Sequence, residues 1–323
     1  MTDSSPIPAA ARPDPDDYSF DLEQRLRSVV SVRTRIPEQA LTAEVLGTER
    51  AGHGVVISAS GLVLTIGYIV TEAESIWVVD HNGASVPAHV VAYDQESGFG
   101  LVQGLQPLQV PSIKLGRSSE LSPGNRLVLA GAAGLSDAIR VRVEDIREFA
   151  GYWEYLLDRA IFTAPAHPAW GGAALIGPDG RLYGIGSLVV ETVDEQHETS
   201  AANMIIPIDL LPPILDELLA IGQRQSPARP WMGWYVQESD DGLFIVGLVD
   251  DGPAQAAGLD SGDRILEIDE QAVDTLPELY RAVWSAGEAG VTISVVIQRE
   301  AELYQCEART LDRRAMMVRQ VLH

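Results

Sequence analysis

From Ser28 onward, short β-type runs follow one another, namely SVVSVRTRI, GVVISASGLVLT, SIWVV, AHVVAY, NRLVLAG, AIRVRVEDI, RAIFTA, RLYGIGSLVV and NMIIPI, each closed off by Gly, Asp, Asn or Pro. Many short strands at this spacing restrict the chain to an all-β barrel or sandwich, because each strand can bury one face only when other strands cover it. The apolar run DLLPPILDELLAIGQ has a helical period and closes this block, and RQSPARP after it is linker-like. A boundary near residue 226 follows. Beyond it the pattern restarts as strand (LFIVGLV), short helix (PAQAAG), strand (RILEID), longer helix (LPELYRAVWSAG) and strand (VTISVVIQ), a small α+β module. The opening stretch, rich in Pro, Ala, Asp and Ser, lacks the apolar content to order itself and is expected to be a flexible arm over residues 1–27. The expected division is thus arm 1–27, barrel block 28–225, and module with tail 226–323.

The 323 residues include 23 basic and 46 acidic side chains, a net charge of −23. Such a surface repels phosphate backbones and anionic lipids, so nucleic acid is not expected as a partner. No apolar run approaches the roughly 20 residues that a membrane helix requires, and MTDSSPIPAAARPDPDDYSF has neither the basic nor the apolar region of a secretory signal. Membrane insertion is not expected, and the location expected is the cytoplasm. The single cysteine, Cys306, agrees with a reducing compartment. Six scattered histidines form none of the close pairs of a zinc site, and the Gly-rich pieces lack the spacing and Lys of a phosphate loop. No metal or other cofactor is expected.

The run from Gly52 to Leu101 resembles the first barrel of an HtrA-family protease, a trypsin-like fold, through GHGVVISASGLVLTIGYIV and DHNGASVPAHVVAYDQESGFGLV. PSIKLGRSSELSPGNRLVLAG, AHPAWGGAALIGPDGRLYGIG and NMIIPIDLL resemble the second barrel, and the likeness covers roughly residues 28–220. The fold implied is mostly β, a trypsin-like double β-barrel followed by a small α+β PDZ domain. Such a protease uses a Ser nucleophile, a His base and an Asp that orients the His. By this resemblance the histidine position falls on Tyr68, the aspartate position on Gly98 and the serine position on Gly171. Ala169 stands where the family has an oxyanion-loop glycine, and Trp170 follows it. Ser97, Ser187, His53 and His167 are the other candidates; His167 falls on the family's asparagine position before Pro168 and is read as a hydrogen-bonding loop residue.

The module resembles a PDZ domain over about residues 229–312. RPWMGW matches the loop that offers amides to a peptide's terminal carboxylate, and DGPAQAAGLDSGDRILEIDEQAV matches the family's most recognisable stretch. A peptide would add a strand to the sheet edge beside a helix. Trp231, Met232, Gly233, Trp234, Tyr280 and Val283 are the candidate peptide-binding residues. The acidic run ETVDEQHETS, 191–200, is read as a solvated loop.

These readings lead to an expected non-enzyme: a catalytically inactive HtrA-like pseudoprotease that binds polypeptides as a scaffold or chaperone-like protein. The alternatives are an active HtrA-like serine endopeptidase with unconventional catalytic residues, and a structural subunit of a larger assembly. The partners expected are protein or peptide C termini. The resemblance also implies a homo-oligomer, a trimer, and Tyr18 and Phe20 in the arm are candidates for its threefold contact.

Overall fold

The computed structural model describes residues 7–193 and 199–318, so the middle of the acidic run 191–200 lies outside the described residues. A short helix, α1 (Leu22–Leu26), leads into the first six strands, β1 (Val29–Arg35), β2 (Glu49–Val56), β3 (Leu62–Ile66), β4 (Ser75–Val79), β5 (Ser85–Tyr93) and β6 (Phe99–Gly104). They close into an antiparallel barrel in the order β1-β2-β3-β6-β5-β4. Helix α2 (Ala43–Leu46) lies between β1 and β2, and α3 (Gly67–Val70) follows β3 directly. All five residues of β3 are buried, which is why it reads as a continuous apolar run instead of alternating.

The second barrel repeats the plan with β7 (Arg126–Ala130), β8 (Ala138–Gly151), β9 (Tyr155–Ala164), β10 (Ala174–Ile176), β11 (Leu182–Val193) and β12 (Thr199–Pro207), in the order β10-β11-β12-β9-β8-β7. Helix α4 (Leu215–Ile221) closes it and ends on Gly222 in the left-handed conformation. The first barrel block does not begin with a loose arm. Ile7 is 1% exposed in the cluster of Leu127, Leu129, Val141 and Ile161, and the Phe20 ring lies over Gly180. Isolated apolar residues in a polar stretch were enough to dock it, because the barrel supplied the rest of the core.

The third body has β13 (Trp234–Ser239), β14 (Gly242–Leu248), helix α5 (Pro253–Ala256), β15 (Arg264–Ile268), β16 (Gln271–Ala272), helix α6 (Leu276–Ser285), β17 (Thr292–Arg299) and β18 (Glu302–Arg309). Its sheet runs β13-β14-β15-β17-β18 with β16 beside β15, so β13 is an edge strand. Two compact units emerge: one takes the chain up to Arg147 with Arg159–Arg224, the other joins Glu148–Asp158 to the chain from Gln225. The tip of the hairpin between β8 and β9 therefore belongs with the α+β unit, an assignment that the expected boundary near residue 226 did not contain.

Candidate functional site

The three positions singled out by the resemblance come together in the first unit. Arg50 Nη1 donates to the Tyr68 carbonyl at 2.7 Å and fixes α3 against β2. The Tyr68 hydroxyl donates to the Ser187 carbonyl at 2.9 Å. Burial raises the phenol's pKa above its ordinary value, with a hydrogen bond to Trp170 acting the other way, so Tyr68 is a proton donor and not a base. A Cβ at Gly171 would lie 2.8 Å from that hydroxyl. Gly98 has φ +82° and accepts at its carbonyl from Gly67 N at 2.7 Å. Tyr68 thus lies against Gly171 through its hydroxyl, and its neighbour Gly67 ties to the Gly98 turn.

The loop before Gly171 is held by its own backbone. His53 N donates to the Gly171 carbonyl at 2.8 Å, and Gly172 N donates to Gly186 at 2.8 Å. A Cβ at Gly172 would come within 1.8 Å of the His53 carbonyl, so only glycine lets the loop approach β2 this closely. Ala169 N donates to His167 Nδ1 at 3.0 Å, and Ala173 N to the Trp170 carbonyl at 3.0 Å.

Ser97, His167 and His53 have the following partners. Ser97 Oγ donates to Asp94 Oδ2 at 2.5 Å, and Arg224 holds both oxygens of that carboxylate at 2.7 Å. Burial alone would raise Asp94, but the bonds from Arg224 and Ser97 outweigh it and lower its pKa. His167 is fully buried; its Nδ1 accepts from Ala169, so its Nε2 carries the proton toward the Asp137 carbonyl at 3.0 Å. His53 Nδ1 accepts from Ala132 N at 3.1 Å, and its ring centroid is 6.4 Å from that of His167. Burial first, then the neighbouring His167, lowers the His53 pKa, against the opposing charge of Asp137. The two buried imidazoles and the half-buried Asp137 form a group that spacing in the sequence does not reveal.

The second site lies in the α+β unit. Met232 N and Gly233 N point at one carboxylate. That carboxylate belongs to Glu154: Oε1 accepts from Gly233 N at 2.9 Å, and Oε2 from Met232 N at 3.0 Å. Trp231 packs its ring over Gly233, while Met232, Trp234, Tyr280 and Val283 are core residues, each at most 1% exposed. With Ala150 and Leu156 of the β8–β9 hairpin packed against them, none of these four candidate pocket residues presents an open wall. Burial pushes the Glu154 pKa up to about 7, although the amides of Met232, Gly233 and Trp234 and the charge of Arg313 pull it down. Sequence reasoning missed Glu154, which sits in GYWEYL without any motif around it.

A trypsin-like peptidase domain family matches residues 52–185, and a PDZ domain family matches residues 230–310. The chain is 26% identical over 90% of its length to Serine protease PepD of Mycobacterium tuberculosis, of which it covers 65%. It is 24% identical over 78% of its length to Serine protease HTRA1 of Xenopus laevis, of which it covers 58%. The chain therefore spans less than two thirds of these relatives. Among solved structures, the HtrA-type protease AlgW with decapeptide superposes with a TM-score of 0.55 at 20% identity, covering 90% of this chain and 97% of that one. The names of the relatives overturn the expectation of a non-enzyme scaffold, because the activity attached to the proteins that match across both domains is serine proteolysis. The protein is a trypsin-like, PDZ-containing homologue of the HtrA serine proteases.

Proposed function

We propose that the protein works in HtrA-type proteolysis of polypeptides and engages their C termini at the PDZ amide loop. The observation that carries the substrate class is the pair of amides at Met232 and Gly233 grasping a carboxylate beside the edge strand β13. An extended chain end fits this arrangement, with main-chain bonds to the strand and its carboxylate in the loop. The endopeptidase part of the proposal is supported by the named activity of PepD and HTRA1. In it the nucleophile and base come from outside positions 68, 98 and 171, which carry a phenol and two glycines. A trimer joined through the N-terminal segment accompanies this proposal, and light scattering on the 34.9 kDa chain tests it, a monomeric mass counting against it.

Purified protein is to be incubated with unfolded casein and, separately, with a fluorophosphonate probe whose site is mapped by mass spectrometry. Expected are casein fragments, suppression by the probe, and one labelled serine. The same assays on a Glu154→Ala variant guard against a closed resting form. No cleavage and no label from either protein would overturn the endopeptidase part, leaving the C-terminus part to be judged by peptide binding.

A further inference from the structure

A carboxylate in a PDZ amide loop is what an incoming chain end would present, and here the chain supplies it from within. Glu154 lies 78 residues before Met232, at the turn between β8 and β9. The hairpin tip reproduces more than the carboxyl group. Val236 N, on the edge strand β13, donates to the Tyr152 carbonyl at 2.9 Å, one main-chain rung of the kind an added strand would make. From the α6 side the Tyr280 hydroxyl donates to the Gly151 carbonyl at 2.7 Å, and Glu154 N reaches the same hydroxyl at 3.3 Å. Ala150 and Leu156 pack on the PDZ core, and the Tyr152 and Tyr235 rings lie 5.9 Å apart. At the base of the tip, Arg281 pairs with Asp158 at 2.9 Å and with Glu148.

The backbone marks this contact as selected by its surroundings. Glu154 holds φ +59°, in the left-handed region that a non-glycine residue adopts only at an energetic cost. The turn keeps a Glu there, 5% exposed, with both carboxylate oxygens engaged.

We propose that the β8–β9 hairpin tip is the resident ligand of the PDZ groove, its Glu154 carboxylate standing in for a peptide C terminus, so that an external chain end binds only by displacing it. This rests on the reading of the amide loop as a C-terminus site. A tethered ligand competes at a local concentration that a free peptide must match, so affinity falls by the fraction of time the groove is open.

The test uses the full chain, with amide hydrogen exchange at Met232, Gly233 and Val236 and, in parallel, fluorescence-polarisation titration with a ten-residue peptide ending in Val, as free acid and as amide. Two variants release the tip: Glu154→Ala removes the carboxylate, and Arg281→Glu, at an exposed position, repels Glu148 and Asp158 while leaving the core untouched. Expected in both are at least tenfold faster exchange at the three amides and at least tenfold tighter binding of the free acid, with no binding of the amide. Exchange unchanged in a folded Arg281→Glu variant and in Glu154→Ala overturns the resident-ligand proposal, as does wild-type binding as tight as that of the variants. Faster exchange in the variants without binding of any free acid supports the resident tip and instead overturns the C-terminus reading.

Discussion

Gly98 shows how one residue's backbone decides what its position can do. At φ +82° an Asp would sit in the left-handed region, and Gly98 also bonds to Gly67 through its carbonyl. Gly98→Asp is therefore expected to cost about 1–2 kcal/mol, read as a lowered urea midpoint with unchanged slope; an unchanged midpoint would mean the loop adapts freely. Glu154 is the residue whose titration matters most. Its pKa rises from 4.5 undocked to about 7 docked, with the Tyr280 hydroxyl and Arg313 facing it and Arg281, Glu148 and Asp158 at the hairpin base. The docked state thus holds the proton more tightly, so docking is strongest below pH 4.5, weakens as pH rises through about 7, and levels off above. The Met232 and Gly233 amide signals should follow that change, by about a few hundredfold in the docking equilibrium. Glu154→Gln, which mimics the protonated form, should stay docked with a flat pH profile. A docking equilibrium that strengthens with rising pH would contradict the raised pKa.

At the scale of elements, α6 is the PDZ helix that faces the hairpin tip, and its start is built from the sequence alone. Thr275 Oγ1 accepts from Glu278 N while the Glu278 side chain accepts from Thr275 N, a reciprocal cap, and Pro277 lies in the first turn. Removing the Thr hydroxyl in Thr275→Ala is expected to cost about 1 kcal/mol and to raise exchange at Leu279, whose amide donates to Thr275. If the helix amides exchange as in the wild type, the cap is not what sets the helix start. Element identity was legible here because Thr, Pro and Glu fall at fixed offsets before an apolar face. The docking of the N-terminal stretch was hidden for the opposite reason: Ile7 is buried far from any periodic run, and its value comes only from the second-barrel core it enters.

For the whole molecule, the net charge of −23 is spread over a chain with twice as many acids as bases. Self-repulsion of that size opposes compactness, and salt relieves it by shortening the Debye length from about 30 Å at 0.01 M to about 10 Å at 0.1 M. The melting temperature should accordingly rise by a few degrees between those concentrations, measured by calorimetry at pH 7.5. A flat or falling curve would show that ion pairs such as Arg224 with Asp94, which salt weakens, dominate the balance instead.

Local rules in the sequence determined the strands, the two β-rich repeats and the α+β module, because these depend on periodicity, turn residues and spacing along the chain; the nearness of Tyr68 to Gly171 was implied only by resemblance to a known family. The tertiary structure alone decided what fills the PDZ groove. Glu154 reaches Met232 across 78 residues, from a turn with no motif, and is held there by a positive φ that Glu does not favour locally. The His53, His167 and Asp137 group was hidden for the same reason. Its members come from β2, the loop before β10 and the turn before β8, and only closure of two barrels brings them within reach. Contacts of this kind are fixed by burial and by hydrogen bonds between distant segments, and a one-dimensional pattern carries no record of them.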